Sequence, residues 1–203
     1  DCGHGSFFTS KTANDWLGRV LGIFTFTPYD DWRRAHALHH ATSGNLDRRG
    51  HGDIDTLTVA EFRALSRLQR LRYWTYRSPV VLFLIGPAYQ FLLRHRLPTT
   101  INAGQAAVAS VVLTNLAILT ISVLIAAVVG WKAFLIIQIP LIVISGAVGI
   151  WLFYVQHQFE DTHWEFTESW DRDHAAMHGS SFYDLPRPLM WLSGNIGIHH
   201  VHH

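Results

Sequence analysis

The chain has 203 residues, with 16 Lys or Arg against 15 Asp or Glu, so its formal net charge at pH 7 is only +1. Such a balance argues against charge-driven binding to nucleic acid, because that binding requires a surplus of cations. The single cysteine, Cys2, excludes an internal disulfide framework. Since the chain lacks an initiator Met and both ends lie in histidine-rich motifs, we expect residues 1–203 to be one domain, truncated at both ends.

The N-terminal part of the chain predicts two helices. Asn14 or Asp15 is a candidate N-cap for a helix over residues 16–24, which is too short to cross a bilayer that requires about 20 apolar residues. Pro28 ends this helix, and the aspartates that follow it are candidate caps for the next one.

Histidines recur in this second helix at the spacing i, i+3, i+4, and the same spacing returns at the end of the chain. On an α-helix these positions share one face, so their imidazoles can converge on one point. Neutral imidazole is the commonest protein metal ligand and suits iron, zinc, copper and nickel. The pattern predicts a metal site built from both ends of the chain. Its candidate ligands are His36, His39, His40, His199, His202 and His203, with His4 in a shorter motif at the start.

Three segments follow the first histidine triplet. Residues 41–53 are rich in Gly and Asx and predict a loop. Residues 59–76 predict one basic amphipathic helix, which suits either an anionic membrane surface or an ordinary solvated face. Residues 80–93 are apolar but short, so they predict either an interfacial hairpin or a tilted span.

The middle of the chain predicts a transmembrane hairpin over residues 106–155. Residues 106–129 carry no charge, residues 131–155 are equally long, and only Gly130 separates them. A hairpin returns the chain to the side it left, so both histidine triplets should face the same side. The arginine-rich segments flank the hairpin on that side, which the positive-inside rule assigns to the cytoplasm.

Beyond the hairpin, several polar residues are candidates for the metal site, and each of them could also have an ordinary structural role. His157 lies at the end of the second span and is either a ligand or an ordinary histidine. His174 and His178 form an i, i+4 pair in a segment whose charged residues predict exposure to solvent. Asn195 either faces the metals or shapes a turn before His199.

The sequence around the histidines resembles the three histidine boxes of the membrane fatty acid desaturases. The shared segments are Asp-Cys-Gly-His-Gly-Ser-Phe-Phe, His-Ala-Leu-His-His-Ala-Thr-Ser-Gly-Asn-Leu-Asp and Gly-Asn-Ile-Gly-Ile-His-His-Val-His-His. They are most similar to bacterial acyl-lipid desaturases of the omega-6 (delta-12) type. The family's first box begins with a histidine that would precede Asp1, so we expect the chain as cut to be inactive.

The resemblance implies an all-α integral membrane protein with a transmembrane hairpin and a cytoplasmic helical cap, in the bacterial inner membrane. It implies an O2-dependent desaturase that places a cis double bond in an acyl lipid, using two iron ions and electrons from a ferredoxin or a small b-type cytochrome. Carboxylates and an amide near the boxes would orient the ligands. The implied iron ligands are His4, His36, His39, His40, His157, His199, His202 and His203, with Asn195, Glu160, Asp161 and Asp53 as supporting residues.

Two other functions compete with desaturation. A di-iron hydroxylase or ketolase acting on a lipid or carotenoid shares the oxidant, so ligand spacing alone does not separate it from a desaturase. A non-enzymatic metal-handling membrane protein is the rival from another class. It would need polar residues for an ion path, and residues 106–129 contain no ionisable side chain.

Overall fold

The computed structural model describes residues 1–50, 52–98 and 104–203, and every regular element in these ranges is helical. The predicted all-α class is therefore confirmed. His51, within the predicted loop, lies outside the described residues. The α-helices are α1 (Lys11–Phe24), α2 (Tyr29–Thr42), α3 (Val59–Ala64), α4 (Arg67–Tyr76), α5 (Gly86–Leu92), α6 (Gln105–Val129), α7 (Trp131–His157), α8 (Arg172–His178), α9 (Arg187–Leu192) and α10 (His199–His202), and shorter turns of helix are Cys2–His4, Leu46–Arg48, Val81–Ile85 and Arg94–Arg96.

The chain divides into two compact units. The first contains residues 1–35 and 77–148, and the second contains residues 36–76 and 149–203. Two of the changes from one unit to the other fall inside helices α2 and α7. Each unit is described by itself below.

In the first unit, the beginning of α2 anchors the segment that carries His4. The Tyr29 hydroxyl donates to the Cys2 carbonyl at 2.8 Å, and the Arg33 guanidinium donates to the Gly3 carbonyl at 3.0 Å. Tyr29 itself packs against α1 at Gly18, where any side chain would collide with the Tyr29 ring. The glycine in α1 therefore permits the close helix contact that holds the N-terminal segment.

Helix α1 begins five residues earlier than the sequence predicts. Its N-cap is Ser10, whose hydroxyl accepts from the Ala13 N–H. The predicted cap Asn14 is instead buried inside the helix, where its amide accepts from the Phe8 N–H and donates to the Phe8 carbonyl. The sequence correctly predicts a helix cap in this region, but the cap is Ser10 and neither Asn14 nor Asp15.

Helices α6 and α7 are long and apolar enough to cross a membrane. At 1.5 Å per residue each exceeds the roughly 30 Å of a bilayer's hydrocarbon core. Most of their large side chains are exposed, among them Leu113 at 65%, Val128 at 86% and Ile137 at 67%. A core helix of a soluble protein would bury such residues, whereas a lipid-facing helix exposes them to hydrocarbon.

In the second unit, residues 59–76 form two helices and not the single helix predicted. Thr58 and Glu61 make a capping box that starts α3, and Leu65 is extended at its end. Ser66 and Gln69 then exchange a second reciprocal pair of hydrogen bonds at the start of α4. This second cap explains the break between the two helices. It binds backbone N–H groups through side chains, whereas in a continuous helix the same N–H groups would donate to carbonyls of the preceding turn.

Candidate metal centre

Three helices supply the clustered histidines, all of which lie in the second unit. His36, His39 and His40 lie on α2, His157 is the last residue of α7, and α10 begins at His199. The segment at Ser181 joins two of these elements: its N–H donates to the Gln156 carbonyl at 2.9 Å, and its carbonyl accepts from the His199 N–H at 3.1 Å. This connection holds His199 next to His157.

The first group of histidines converges on His157. The Nε2 atom of His157 lies 3.2 Å from Nε2 of His39, 2.9 Å from Nε2 of His199 and 3.3 Å from Nε2 of His203. His39, His157 and His199 are all buried. One ring nitrogen can share a proton with a single neighbour, so hydrogen bonding alone cannot satisfy these three contacts.

The other nitrogen of two of these rings fixes the tautomer. His39 Nδ1 lies 2.8 Å from Asp53 Oδ1, and His157 Nδ1 lies 3.3 Å from the Gly179 carbonyl. A carboxylate and a carbonyl only accept, so both Nδ1 atoms carry the proton. In the neutral rings the Nε2 atoms of His39 and His157 then carry lone pairs that point at each other and repel. A cation bound between them would be ligated by both lone pairs and would remove this repulsion. The donor set fits a metal such as iron.

A second group in the same unit consists of His36, His40 and His202. The Nε2 atoms of His36 and His40 are 3.0 Å apart, and the ring of His202 lies with its centroid 5.5 Å from that of His36 and 4.8 Å from that of His40. Their ligand atoms all lie within 4.8 Å of one another, as do those of His39, His157 and His203. The second unit thus contains two histidine groups able to hold a metal.

Burial keeps His199 and His203 neutral. Desolvation, followed by the charges of His203 and His202, lowers the pKa of His199 to about 2. Desolvation also lowers the pKa of His203, with the charges of His157 and His40 as further causes. At pH 7 these imidazoles are unprotonated, which is the form that binds a metal.

The structure gives different positions to the four residues predicted to support the ligands. The side chain of Asp53 is buried and contacts His39 directly. Glu160 and Asp161 are exposed, and no hydrogen bond joins either to a histidine in the part of the chain that the structure describes. Asn195 is exposed with a left-handed φ of 60° and forms a turn, since its carbonyl accepts from the Ile198 N–H. These positions favour the turn interpretation of Asn195.

Two groups near the histidines were not predicted from the sequence. The Gly179 carbonyl and the Ser181 backbone orient His157 and His199, but backbone groups leave no residue-type signal. His4 ends the short helix Cys2–His4 in the first unit, and its role as a ligand stays a prediction.

Comparisons with known proteins agree on one family. The family model for fatty acid desaturases matches residues 1–203. A fatty acid desaturase of Bacillus subtilis is 49% identical over 203 residues, which is all of this chain and 57% of that protein. An sn-1 acyl-lipid omega-3 desaturase (ferredoxin) of Synechocystis is 51% identical over 47 residues, which is 23% of this chain and 13% of that protein. A delta(12) fatty acid desaturase of Mortierella isabellina is 42% identical over 48 residues, 24% of this chain and 12% of that protein. No solved structure matches the chain.

Proposed function

Because the chain belongs to the fatty acid desaturase family, we propose that it is the di-iron part of an O2-dependent enzyme that introduces a cis double bond into an acyl chain. The convergence of imidazole Nε2 atoms on His157 carries the proposal, since their lone pairs require a cation. The chain spans 57% of the length of its Bacillus subtilis relative, so the activity is proposed for the intact protein.

The two histidine groups would hold one iron each. His39, His157, His199 and His203 surround the first position, and His36, His40 and His202 surround the second. We also propose His4 as a ligand, because its Asp-Cys-Gly-His motif resembles the first histidine box of the family. Neutral imidazoles suit iron without adding negative charge.

The reaction removes two hydrogens from adjacent methylene carbons and leaves a double bond. An unactivated methylene has no acidic proton and no carbonyl to polarise, so acid–base catalysis by side chains is insufficient. Bound iron supplies the activation of O2 that such an oxidation requires. O2 becomes two waters by taking the two substrate hydrogens, two electrons and two protons. The protein's own contribution is to hold the ligands: Asp53 fixes the tautomer of His39, and the Gly179 carbonyl fixes that of His157.

The two electrons come from a carrier that docks on the histidine side, and we propose a ferredoxin or a small b-type cytochrome. The name of the Synechocystis relative includes ferredoxin. We further propose that α6 and α7 cross the bacterial inner membrane and that the histidines face the cytoplasm. The charge distribution supports this orientation, because Lys132 is the one charged residue among residues 101–150 and arginines, among them Arg94 and Arg96, are frequent before them.

We propose an acyl lipid as the substrate and delta-12 (omega-6) as the position of the double bond. Acyl-lipid appears in the name of the Synechocystis relative, and delta(12) in that of the Mortierella relative. Omega-3 also appears among these names, and it is the regiochemistry that competes with delta-12.

The test is product analysis with the intact protein. It is expressed in a host whose membranes contain only monounsaturated acyl chains, beside a His39→Ala variant, and the fatty acids are profiled by mass spectrometry. We expect a diunsaturated chain two mass units lighter than its precursor, absent in the variant. The position of the new bond decides between delta-12 and omega-3.

Two outcomes would overturn the proposal. Added oxygen in a lipid product would indicate a hydroxylase or ketolase. Unchanged acyl chains in membranes that contain the iron-loaded protein and reduced ferredoxin would exclude desaturation of these lipids.

A further inference from the structure

A third group of histidines lies outside both groups described above. In the second unit, the ring centroids of His163 and His174 are 4.5 Å apart with an interplanar angle of 81°, and those of His174 and His178 are 4.3 Å apart. His157 and His199, whose Nε2 atoms approach to 2.9 Å, have nearly the same ring geometry, at 4.7 Å and 80°. Two ring pairs of the third group, both of which include His174, are thus as close as this pair of the candidate metal centre.

The backbone holds the three residues together. His174 and His178 stand four positions apart on α8, so they share one helix face. His163 comes from a separate segment, and its N–H donates to the His178 carbonyl at 3.1 Å. The start of α8 is capped by Asp171, whose side chain accepts from the His174 N–H at 2.8 Å.

We infer that His163, His174 and His178 form a zinc site separate from the proposed di-iron centre. Zn²⁺ takes neutral imidazoles at about 2.0–2.1 Å in tetrahedral geometry, and three histidines leave the fourth position for water. His174 and His178 are exposed, so their rings can turn their nitrogens towards a common ion. His178 also lines an open cleft of about 520 Å³, which gives the ion a path from solvent.

Charge around the cluster favours a cation. Asp171 caps the start of α8 and Asp161 lines the same cleft as His178, while Asp173 is paired with Arg172. Such carboxylates attract a divalent ion and can accept a hydrogen bond from a ligand N–H or from a bound water.

Zinc at this position would restrain a group that the metal centre uses. Gly179 directly follows His178, its N–H donates to the Ala175 carbonyl at 2.7 Å, and its own carbonyl accepts from His157 Nδ1. Fixing His174 and His178 to His163 would hold the end of α8, and with it the acceptor that orients His157.

The experiment measures zinc bound per chain on the intact protein in detergent, using zinc alone as the probe. The parent protein is compared with a His174→Gln/His178→Gln double variant and with His200→Gln, a control that removes a histidine belonging to none of the three groups. After equilibration with excess zinc and removal of free ion, metal is counted by mass spectrometry. We expect the double variant to bind one zinc fewer than the parent and the control to match the parent. The difference does not depend on which metal fills the other groups, so it is independent of the desaturase proposal.

Hydrogen exchange supplies a second measurement. Zinc should slow amide exchange over residues 172–179 in the parent and leave it unchanged in the double variant. His163→Gln, which alters no residue of α8, should lose the same effect and decides the matter if the double variant does not fold. Equal zinc content in the parent and in the folded variants, or equal exchange with and without zinc in the parent, overturns the site.

Discussion

Two histidines of the candidate centre are held through their Nδ1 atoms by different kinds of acceptor. His39 uses the Asp53 carboxylate and His157 uses the Gly179 carbonyl. The carboxylate is buried together with its partner, and its other oxygen, Oδ2, has no hydrogen bond among the described residues. A carboxylate behind a ligand fixes the ring and raises its basicity. Asp53 is therefore the residue through which the centre's affinity for metal can be changed without removing a ligand.

We predict that Asp53→Asn weakens iron binding roughly 10- to 100-fold, because the amide keeps the shape of the side chain but loses its charge. Iron content measured at limiting iron checks this. Asp161→Asn is the matched control, since Asp161 is exposed, and it should bind iron like the parent. Equal iron affinity in the two variants would show that Asp53 does not support a ligand.

At the scale of elements, small residues decide how closely helices approach. In the first unit, a Cβ atom at Gly146 of α7 would lie 2.8 Å from the Phe91 ring and 3.0 Å from Pro87 Cβ, both on α5. A Cβ atom at Gly149, three residues later on α7, would meet no atom of the described residues within 4 Å. Both glycines lie in α7, but only Gly146 faces a neighbouring helix. Comparing the two therefore separates the effect of a side-chain collision from the effect of glycine on helix propensity.

We predict that Gly146→Ala destabilises the protein by about 1–3 kcal/mol, because the added methyl forces Phe91 or the helix aside. Gly149→Ala should leave stability unchanged or raise it by up to about 1 kcal/mol, since alanine is the better helix former. Thermal unfolding in detergent compares the two variants. A destabilisation of the same size at both positions would contradict a specific contact at Gly146.

For the whole molecule, the arrangement of charge along the chain is the main indication of how it lies in a membrane. Two apolar helices separated only by Gly130 occupy the middle of the chain, and arginines are concentrated before them, with 12 of the 14 among residues 1–100. Charged segments of this kind stay on the cytoplasmic side during insertion. The Gly130 turn should then reach the opposite side.

We predict that a cysteine at the turn is accessible from outside intact cells. In a Cys2→Ser background, Lys132→Cys should react with a membrane-impermeant maleimide, and Ser169→Cys should react only after the cells are permeabilised. Both Lys132 and Ser169 are exposed, so exposure on the protein does not distinguish them. Labelling of Ser169→Cys alone in intact cells would reverse the proposed orientation.

The sequence was sufficient for features that depend on local periodicity. The helix that carries the first histidine triplet and the two long apolar helices are both confirmed. The all-helical class and the desaturase family, which the resemblance implied, are confirmed as well. Helix ends were less predictable: Ser10 and Ser66 begin helices that the sequence assigns elsewhere, because several residues nearby could also cap.

Only the tertiary structure decided which side chains meet. It places His157 at the middle of one histidine group, selects Asp53 over Glu160 and Asp161 as the partner of His39, and assigns Asn195 to a turn. These outcomes depend on contacts between segments that are distant in sequence, such as the Ser181 backbone joining Gln156 to His199. A backbone hydrogen bond can be made by almost any residue type, so the sequence carries no record of it.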